Sequence, residues 1–300
     1  MFDKHVEQWY WNKGRASRLE FKLKEPPVIT TAKISRSAWP STKELRRHSI
    51  TAYNRKNQYS KNDACACCDS IRDDRRCIVC GAISAHFFVS ADGNRYERCG
   101  ACHATFLNPE QRVPIDHEQA MYRLHRNDPG DKDYRRFLSK LAGPLLERLP
   151  PQAKGLDYGC GPGPALACML REAGHHVRLF DPLFFPDPEP LEDLYDFIVC
   201  AEVIEHFHRP AEEFARFDRM LRPGGWLAIM TCFQTVDDRF EHWHYRRDPT
   251  HVVFFREATL RYIARRFRWR CEIPLKDIAL MQKPQNTLDT KIMHKKACHE

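Results

Sequence analysis

Several things are missing from this chain, and each absence narrows what it can be. No run of 18 or more apolar residues occurs, which excludes an ordinary transmembrane helix. The first residues, MFDKHVEQWYWNKGR, contain no apolar core of the kind a secretion signal carries. A cytoplasmic location with no membrane partner is therefore expected. The phosphate-cradling pattern G-x-x-x-x-G-K-[ST] does not occur. The dinucleotide pattern G-x-G-x-x-G is incomplete, because Pro164 stands where its third glycine should be.

Charge and cysteine are present, and both are unevenly placed. The formal net charge is +8, and residues 1–64 hold 14 Lys and Arg against 6 Asp and Glu, which leaves 34 of each sign elsewhere. The basicity therefore belongs to the first 64 residues. That segment shows no helical or alternating period and is expected to be disordered, as a solvated extension or as an arm for an anionic surface. Of 13 cysteines, seven fall within 65–102. Paired spacing in a chain expected to be cytoplasmic points to metal binding more than to disulfides. Cys77-Ile-Val-Cys80 and Cys99-Gly-Ala-Cys102 bracket an apolar and aromatic stretch with an Asp92-Gly93 turn, which is a hairpin signal. Two such pairs around a hairpin resemble a zinc ribbon, and Cys77, Cys80, Cys99 and Cys102 would hold one structural zinc with no open position. Cys65, Cys67 and Cys68 have no second pair and are read as free thiols.

The densest local signal is LDYGCGPG at 156–163. Leu156 to Tyr158 read as the end of a buried strand. Gly159, Gly161 and Gly163 then occupy alternate positions, which suits a tight turn against which a ligand's backbone contacts are made. A helix-forming run, Ala165 to Ala173, follows. A second apolar run, Val177 to Phe180, ends in Asp181, placed to accept hydrogen bonds from ribose hydroxyls. Further strands are expected at 196–201, 226–232, 268–274 and 276–282, with helices at 211–221 and 256–266. Alternation of this kind gives an α/β fold with a mainly parallel sheet.

LDYGCGPG, the strand ending at Asp181, YDFIVCAEVIEHF at 195–207 and MLRPGGWLAIMT at 220–231 resemble, in this order, the class I S-adenosylmethionine-dependent methyltransferases. The resemblance covers about Gly155 to Lys283. It implies a Rossmann-like domain with a final antiparallel strand and S-adenosylmethionine as cofactor. On that reading Asp157, Gly159, Gly161, Gly163, Asp181 and Glu202 contact the cofactor. One departure stands out. Only fourteen residues, four of them proline, separate Asp181 from Asp196. The usual second helix and third strand do not fit there, and Leu183, Phe184 and Phe185 are expected to cover the adenine instead.

The acceptor side is read from two places. His206 ends the EVIEH segment beside the expected pocket. The stretch FEHWHYRRDPTHVVFF at 240–255 combines histidines with aromatics, which offers a base beside a stacking surface. His206, His244 and His251 are the candidate catalytic residues, and Arg246 and Arg247 are candidates for binding an acidic group. A small-molecule acceptor is the leading expectation. RNA is the alternative, through the basic arm and the ribbon, and a non-catalytic cofactor-sensing or partner-binding protein is a third reading. The expected divisions are a basic extension at 1–64, the zinc-ribbon-like module at 65–110, a helical linker or cap at 111–153, the methyltransferase domain at 154–283 and a disordered tail at 284–300. The sequence sets no oligomeric state.

Overall fold

The computed structural model describes residues 75–124 and 127–285. The basic extension, Cys65, Cys67 and Cys68, and the tail from 286 onward lie outside the described residues.

The order along the chain begins with β1 (Arg75–Arg76), β2 (Ile83–Ala91), β3 (Asn94–Cys99) and β4 (Thr105–Leu107). Two helices follow, α1 (Ile115–Tyr122) and α2 (Lys132–Leu146). The α/β unit then runs β5 (Lys154–Tyr158), α3 (Ala165–Glu172), β6 (His176–Phe180), β7 (Tyr195–Ala201), α4 (Pro210–Met220) and β8 (Leu221–Met230). It closes with β9 (Val253–Phe254), α5 (Glu257–Phe267), β10 (Arg270–Leu275) and β11 (Ile278–Gln282).

The larger sheet has six strands in the order β10-β11-β8-β7-β5-β6. β6, β5, β7 and β8 run parallel, β11 is antiparallel to its neighbour β8, and β10 is antiparallel to β11. β5, β7 and β8 are central and read as near-continuous apolar runs, because helices cover both faces. Leu156, Ile198, Leu227 and Ile229 face one apolar cluster, and Val199, Ala228 and Met230 face a second one with α2 and α3. Crossovers of this kind place the carboxyl ends of the parallel strands at one edge, where ligands bind in open α/β sheets. The short Asp181–Asp196 link holds no strand. Asp181 bridges Phe185, and Glu189–Glu192 form one 3-10 turn, so β6 is the outer strand of the parallel set.

α2 is a single helix despite Pro144 within it. Leu138, Leu141 and Leu145 recur on one face and are buried. Asp131 caps it, accepting hydrogen bonds from the Asp133 and Tyr134 amides at 2.8 and 3.2 Å. α3 has no such cap of its own, since Pro164 precedes it. Asp157, at the end of β5, accepts from the Ala167 amide at 3.2 Å and supplies the missing acceptor.

The smaller sheet has five strands, β1-β2-β3-β4-β9, all antiparallel. β2 and β3 form the expected hairpin, with Asp92 and Gly93 at φ of 50° and 81°, as a two-residue hairpin turn requires. Its last strand, β9, comes from the stretch after His251. Cys77, Cys80, Cys99 and Cys102 lie in the same hydrophobic cluster as Phe214 of α4 and Leu260 of α5. The Ala211 amide donates to the Ile78 carbonyl at 3.3 Å, and Arg266 reaches the Cys80 carbonyl. The ribbon and the α/β sheet therefore share one core.

Candidate functional site

The glycine turn leaves β5 with Gly159 and Gly161 at φ of 75° and 65°, a region that side-chain-bearing residues rarely occupy. Crowding adds to the requirement. A Cβ at Gly159 would lie 2.6 and 2.7 Å from the two methyls of Val203. A Cβ at Gly163 would lie 1.6 Å from the Asn127 carbonyl oxygen. The main chain just before α2 thus roofs the turn, and the segment after β7 forms its floor.

Asp181 organises this turn. One carboxylate oxygen accepts from the Gly161 amide at 3.0 Å, and the other from the Leu183 and Phe184 amides at 2.9 and 3.0 Å. An ionised carboxylate has about four acceptor positions, so capacity for a ribose hydroxyl remains. Asp157 is buried. Burial pushes its carboxyl up to about 7, against the Ala167 amide and the Arg171 charge, which favour ionisation. Tyr134 of α2 lies close enough for the Asp157 and Glu202 charges to add to burial in raising its hydroxyl. Glu202 itself has φ of 56°, a strained conformation for a non-glycine residue at the tip of a central strand.

Three residues beyond Glu202 a second arrangement begins. Glu205 is 1% exposed. One of its oxygens accepts from the Thr231 hydroxyl at 3.0 Å, and Thr231 in turn lies 3.0 Å from the Tyr245 hydroxyl. Its other oxygen, Oε1, is buried without a hydrogen-bond partner and lies 3.9 Å from His206 Nε2. Burial pushes the Glu205 carboxyl up to about 8, with the Glu202 charge adding to it and the Tyr245 and Thr231 hydrogen bonds opposing it. The rings of His206 and His251 stand 4.7 Å apart, and the Tyr245 ring is 4.2 Å from His251. Ligand atoms of Glu205, His206 and His251 all fall within 4.8 Å of one another.

Forty-five positions separate His206 from His251, and main-chain pairing closes that distance. The Val252 amide donates to the Glu205 carbonyl at 2.9 Å, and the Val252 carbonyl accepts from the Leu107 amide at 2.9 Å. β9 then pairs with β4 of the ribbon. The ribbon thereby holds His251 against the EVIEH segment. On the other side of His206, Tyr122 of α1 packs edge-on at 5.2 Å and donates to the buried Glu118 at 2.6 Å, which also faces His208.

Of the three histidines expected at the centre, the structure brings His206 and His251 together. His244 is exposed on the 3-10 turn His244–Arg247, whose buried residues are Tyr245 and Arg246. The acid-binding reading of Arg246 is corrected. Its guanidinium is buried and donates to the Asp92 carboxylate, the Tyr96 hydroxyl and the Phe240 and Glu241 carbonyls, so it ties the loop to the hairpin. Sequence reasoning placed Glu205 in the segment lining the pocket and Tyr245 in the histidine-rich loop without giving either a role of its own, and it passed over Thr231. The signal available for Glu205 was its place three residues after Glu202 in the same segment.

The four cysteines form a separate site. Cys77 and Cys102 sulfurs are 3.7 Å apart, and those of Cys80 and Cys99 are 3.6 Å apart. Four thiolates about 2.3 Å from one zinc ion lie roughly 3.8 Å apart at the corners of a tetrahedron. The Val79 amide points at Cys77 Sγ, and the Ala101 and Cys102 amides point at Cys99 Sγ, each at 3.4 Å. Such amides stabilise thiolates. The cradle fits one tetrahedral zinc.

Residues 126–271 match the family model described as a methyltransferase domain. These residues form a methyltransferase domain. No curated protein sequence matches it. Among solved structures it is similar to an O-methyltransferase family protein from Burkholderia thailandensis, with 16% identity over 53% of this chain and a TM-score of 0.36. That match spans 61% of the other chain. It is also similar to 1,6-didemethyltoxoflavin-N1-methyltransferase from Burkholderia thailandensis, solved with 1,6-didemethyltoxoflavin and S-adenosylhomocysteine. There the identity is 18%, the coverage 67% of this chain and 99% of the other, and the TM-score 0.40. These scores describe partial overlap, and the methyltransferase assignment rests on the family match together with the order of the motifs. The sheet order β10-β11-β8-β7-β5-β6 is the mainly parallel Rossmann-like arrangement expected of it. Among the described residues no helix is long and apolar enough to cross a membrane.

Proposed function

We propose that the methyltransferase domain transfers the methyl group of S-adenosylmethionine to a small-molecule acceptor that meets Glu205, His206 and His251. The observation that carries this is the adjacency of two features at the carboxyl edge of the sheet. The glycine turn packs on Val203, and Val203 leads within three residues to Glu205 and His206. The cofactor brings the reactive sulfonium. The protein's part is to orient, to exclude water and to deal with the acceptor's proton.

Gly159, Gly161 and Gly163 form the surface for the methionine and ribose portions. Asp181 holds that turn and accepts from the ribose. Asp157 and Glu202 are the carboxylates nearest the cofactor's cationic end. His206 and His251 face the acceptor, and their rings have little exposure to water. The α1 segment bounds this side through Tyr122. Cys77, Cys80, Cys99 and Cys102 hold one zinc that stabilises the ribbon, and through β4 and Val252 the ribbon fixes His251. The zinc is structural on this reading, because four thiolates leave no open position.

The test is labelled methyl transfer with a panel of small metabolites and, in parallel, bulk RNA. His251→Ala should lower turnover by at least about tenfold while cofactor affinity changes less than twofold. Full turnover in both His206→Ala and His251→Ala would remove the acceptor assignment. Labelling of RNA alone would replace the small-molecule acceptor with a nucleic acid.

A further inference from the structure

The Glu205 side chain poses a problem that methyl transfer alone does not solve. Its Oε1 is buried, has no hydrogen-bond partner and belongs to a side chain with 1% exposure. Buried polar atoms are nearly always satisfied, and each exception calls for a cause. Around this atom the chemistry is specific. His206 Nδ1 lies 3.0 Å from the Thr250 carbonyl oxygen, and His251 Nδ1 lies 2.7 Å from the Tyr245 carbonyl oxygen. A carbonyl can only accept, so each Nδ1 carries the hydrogen and each Nε2 carries a lone pair. Imidazoles that bind metals are held in this way, with the other ring nitrogen donating to a carbonyl or carboxylate.

From these contacts we infer that Glu205, His206 and His251 bind one divalent transition-metal cation, distinct from the zinc of the four cysteines. Glu205 Oε1 and His206 Nε2 are 3.9 Å apart, too far for a hydrogen bond. Two atoms each about 2.1 Å from one ion lie roughly 3 to 4.2 Å apart, depending on the angle between them. The donor atoms of all three residues fall within 4.8 Å of one another. Thr231 and Tyr245 tether the other Glu205 oxygen through hydroxyls, and Thr250 is tied to Asp248 at 2.9 and 2.6 Å. The donor set of one carboxylate and two imidazoles suits Mn2+, Fe2+, Co2+ or Zn2+ and not the all-oxygen preference of Ca2+. Three protein ligands leave coordination positions open.

The open positions define the acceptor class, a statement that rests on the methyl transfer proposed above. A hydroxyl oxygen on the cation loses its proton more readily. The proton passes to water, the oxygen–carbon bond forms as the sulfur–carbon bond breaks, and the cofactor leaves as neutral S-adenosylhomocysteine. The acceptor is thus a hydroxyl compound able to coordinate the ion.

Mn2+ is the probe of choice because it favours nitrogen and oxygen donors over a four-thiolate site. It is titrated into the zinc-replete full chain and followed by electron paramagnetic resonance, with metal content counted by elemental analysis. The wild type should bind one Mn2+ per chain beyond the cysteine-bound zinc. Glu205→Gln and His251→Ala should each weaken it at least tenfold, with unchanged circular dichroism. Glu205→Gln keeps the shape and the hydroxyl contacts, so it separates loss of a ligand from loss of fold. The inference is overturned if the wild type takes up neither Mn2+ nor a second Zn2+, or if Glu205→Gln binds Mn2+ as the wild type does. Cation binding without methylation of any hydroxyl acceptor would overturn the acceptor class and leave the cation site in place. Methyl transfer by a chain freed of all but the cysteine-bound zinc would overturn the cation's role and leave methyl transfer standing.

Discussion

Replacing Gly159 with alanine tests how the glycine turn is coupled to the segment that carries Glu205 and His206. Two costs arise. The residue has φ of 75°, and a side chain in that left-handed region costs roughly 1–2 kcal/mol. The new Cβ would also meet Val203 Cγ1 and Cγ2 at 2.6 and 2.7 Å, and overpacking of this kind costs about 1–3 kcal/mol. Together the loss should be about 2–5 kcal/mol. Val203→Ala removes the two clashing methyls and leaves the residue-203 Cβ at 3.2 Å, which a shift of a few tenths of an ångström accommodates. The double variant Gly159→Ala/Val203→Ala should therefore lose less than the sum of the single variants, by about 1–2 kcal/mol, while the backbone part of the cost persists. Urea unfolding of the four proteins gives the cycle. Additivity within about 0.5 kcal/mol would show that the turn does not press on Val203 and that the proposed adjacency of cofactor and acceptor sites is wrong.

Other outcomes follow from single contacts. Burial pushes the folded Asp157 carboxyl up to about 7 from an ordinary value of 3.8, so the folded chain binds the extra proton and the unfolded chain does not between those values. Stability of the wild type should fall as pH rises through that window, by on the order of 4 kcal/mol from this group, and level off above it. Asp157→Asn removes the slope, so its melting temperature relative to wild type should climb between pH 4 and 7; a constant difference would show that Asp157 is not buried as described. Zinc removal by a strong chelator, or Cys99→Ser, should lower the melting temperature by more than roughly 10 °C, because the cysteines share a core with α4 and α5; metal analysis that finds no zinc in the wild type would oppose the four-thiolate assignment. Arg246→Ala should destabilise the chain by about 2–4 kcal/mol and lower turnover through displacement of His251, whereas Arg247→Ala, on an exposed position, should change stability by less than about 0.5 kcal/mol.

What could be read from the sequence was mostly local. The glycine turn, the strand ending at Asp181 and the paired cysteines are each set by neighbours within about twenty positions, and their spacing carries their geometry. The short proline-rich link after Asp181 was legible for the same reason, since fourteen residues leave no room for another crossover. The acceptor site was legible only in part. His206 and His251 meet because β9 joins the ribbon sheet beside β4, and no pattern in either segment announces that pairing. Arg246 read as a free cation because its partners, Asp92 and Tyr96, are more than 149 positions away. His244 and Tyr245 are adjacent, yet the 3-10 turn directs one outward and the other toward Thr231. Glu205 was legible only as one residue of the pocket-lining segment, because burial, not sequence, gives it its character. The turn-organising role of Asp181 likewise depends on three amides brought to it by the fold.

The most direct measurement is a calorimetric titration of the full chain with S-adenosylhomocysteine, comparing wild type, Asp181→Ala and His251→Ala. One equivalent should bind to the wild type. Asp181→Ala, which strands the Gly161, Leu183 and Phe184 amides, should bind at least tenfold more weakly, and His251→Ala should bind within twofold of wild type. Absence of binding to the wild type, or equal affinity in Asp181→Ala, would contradict a cofactor site on the glycine turn.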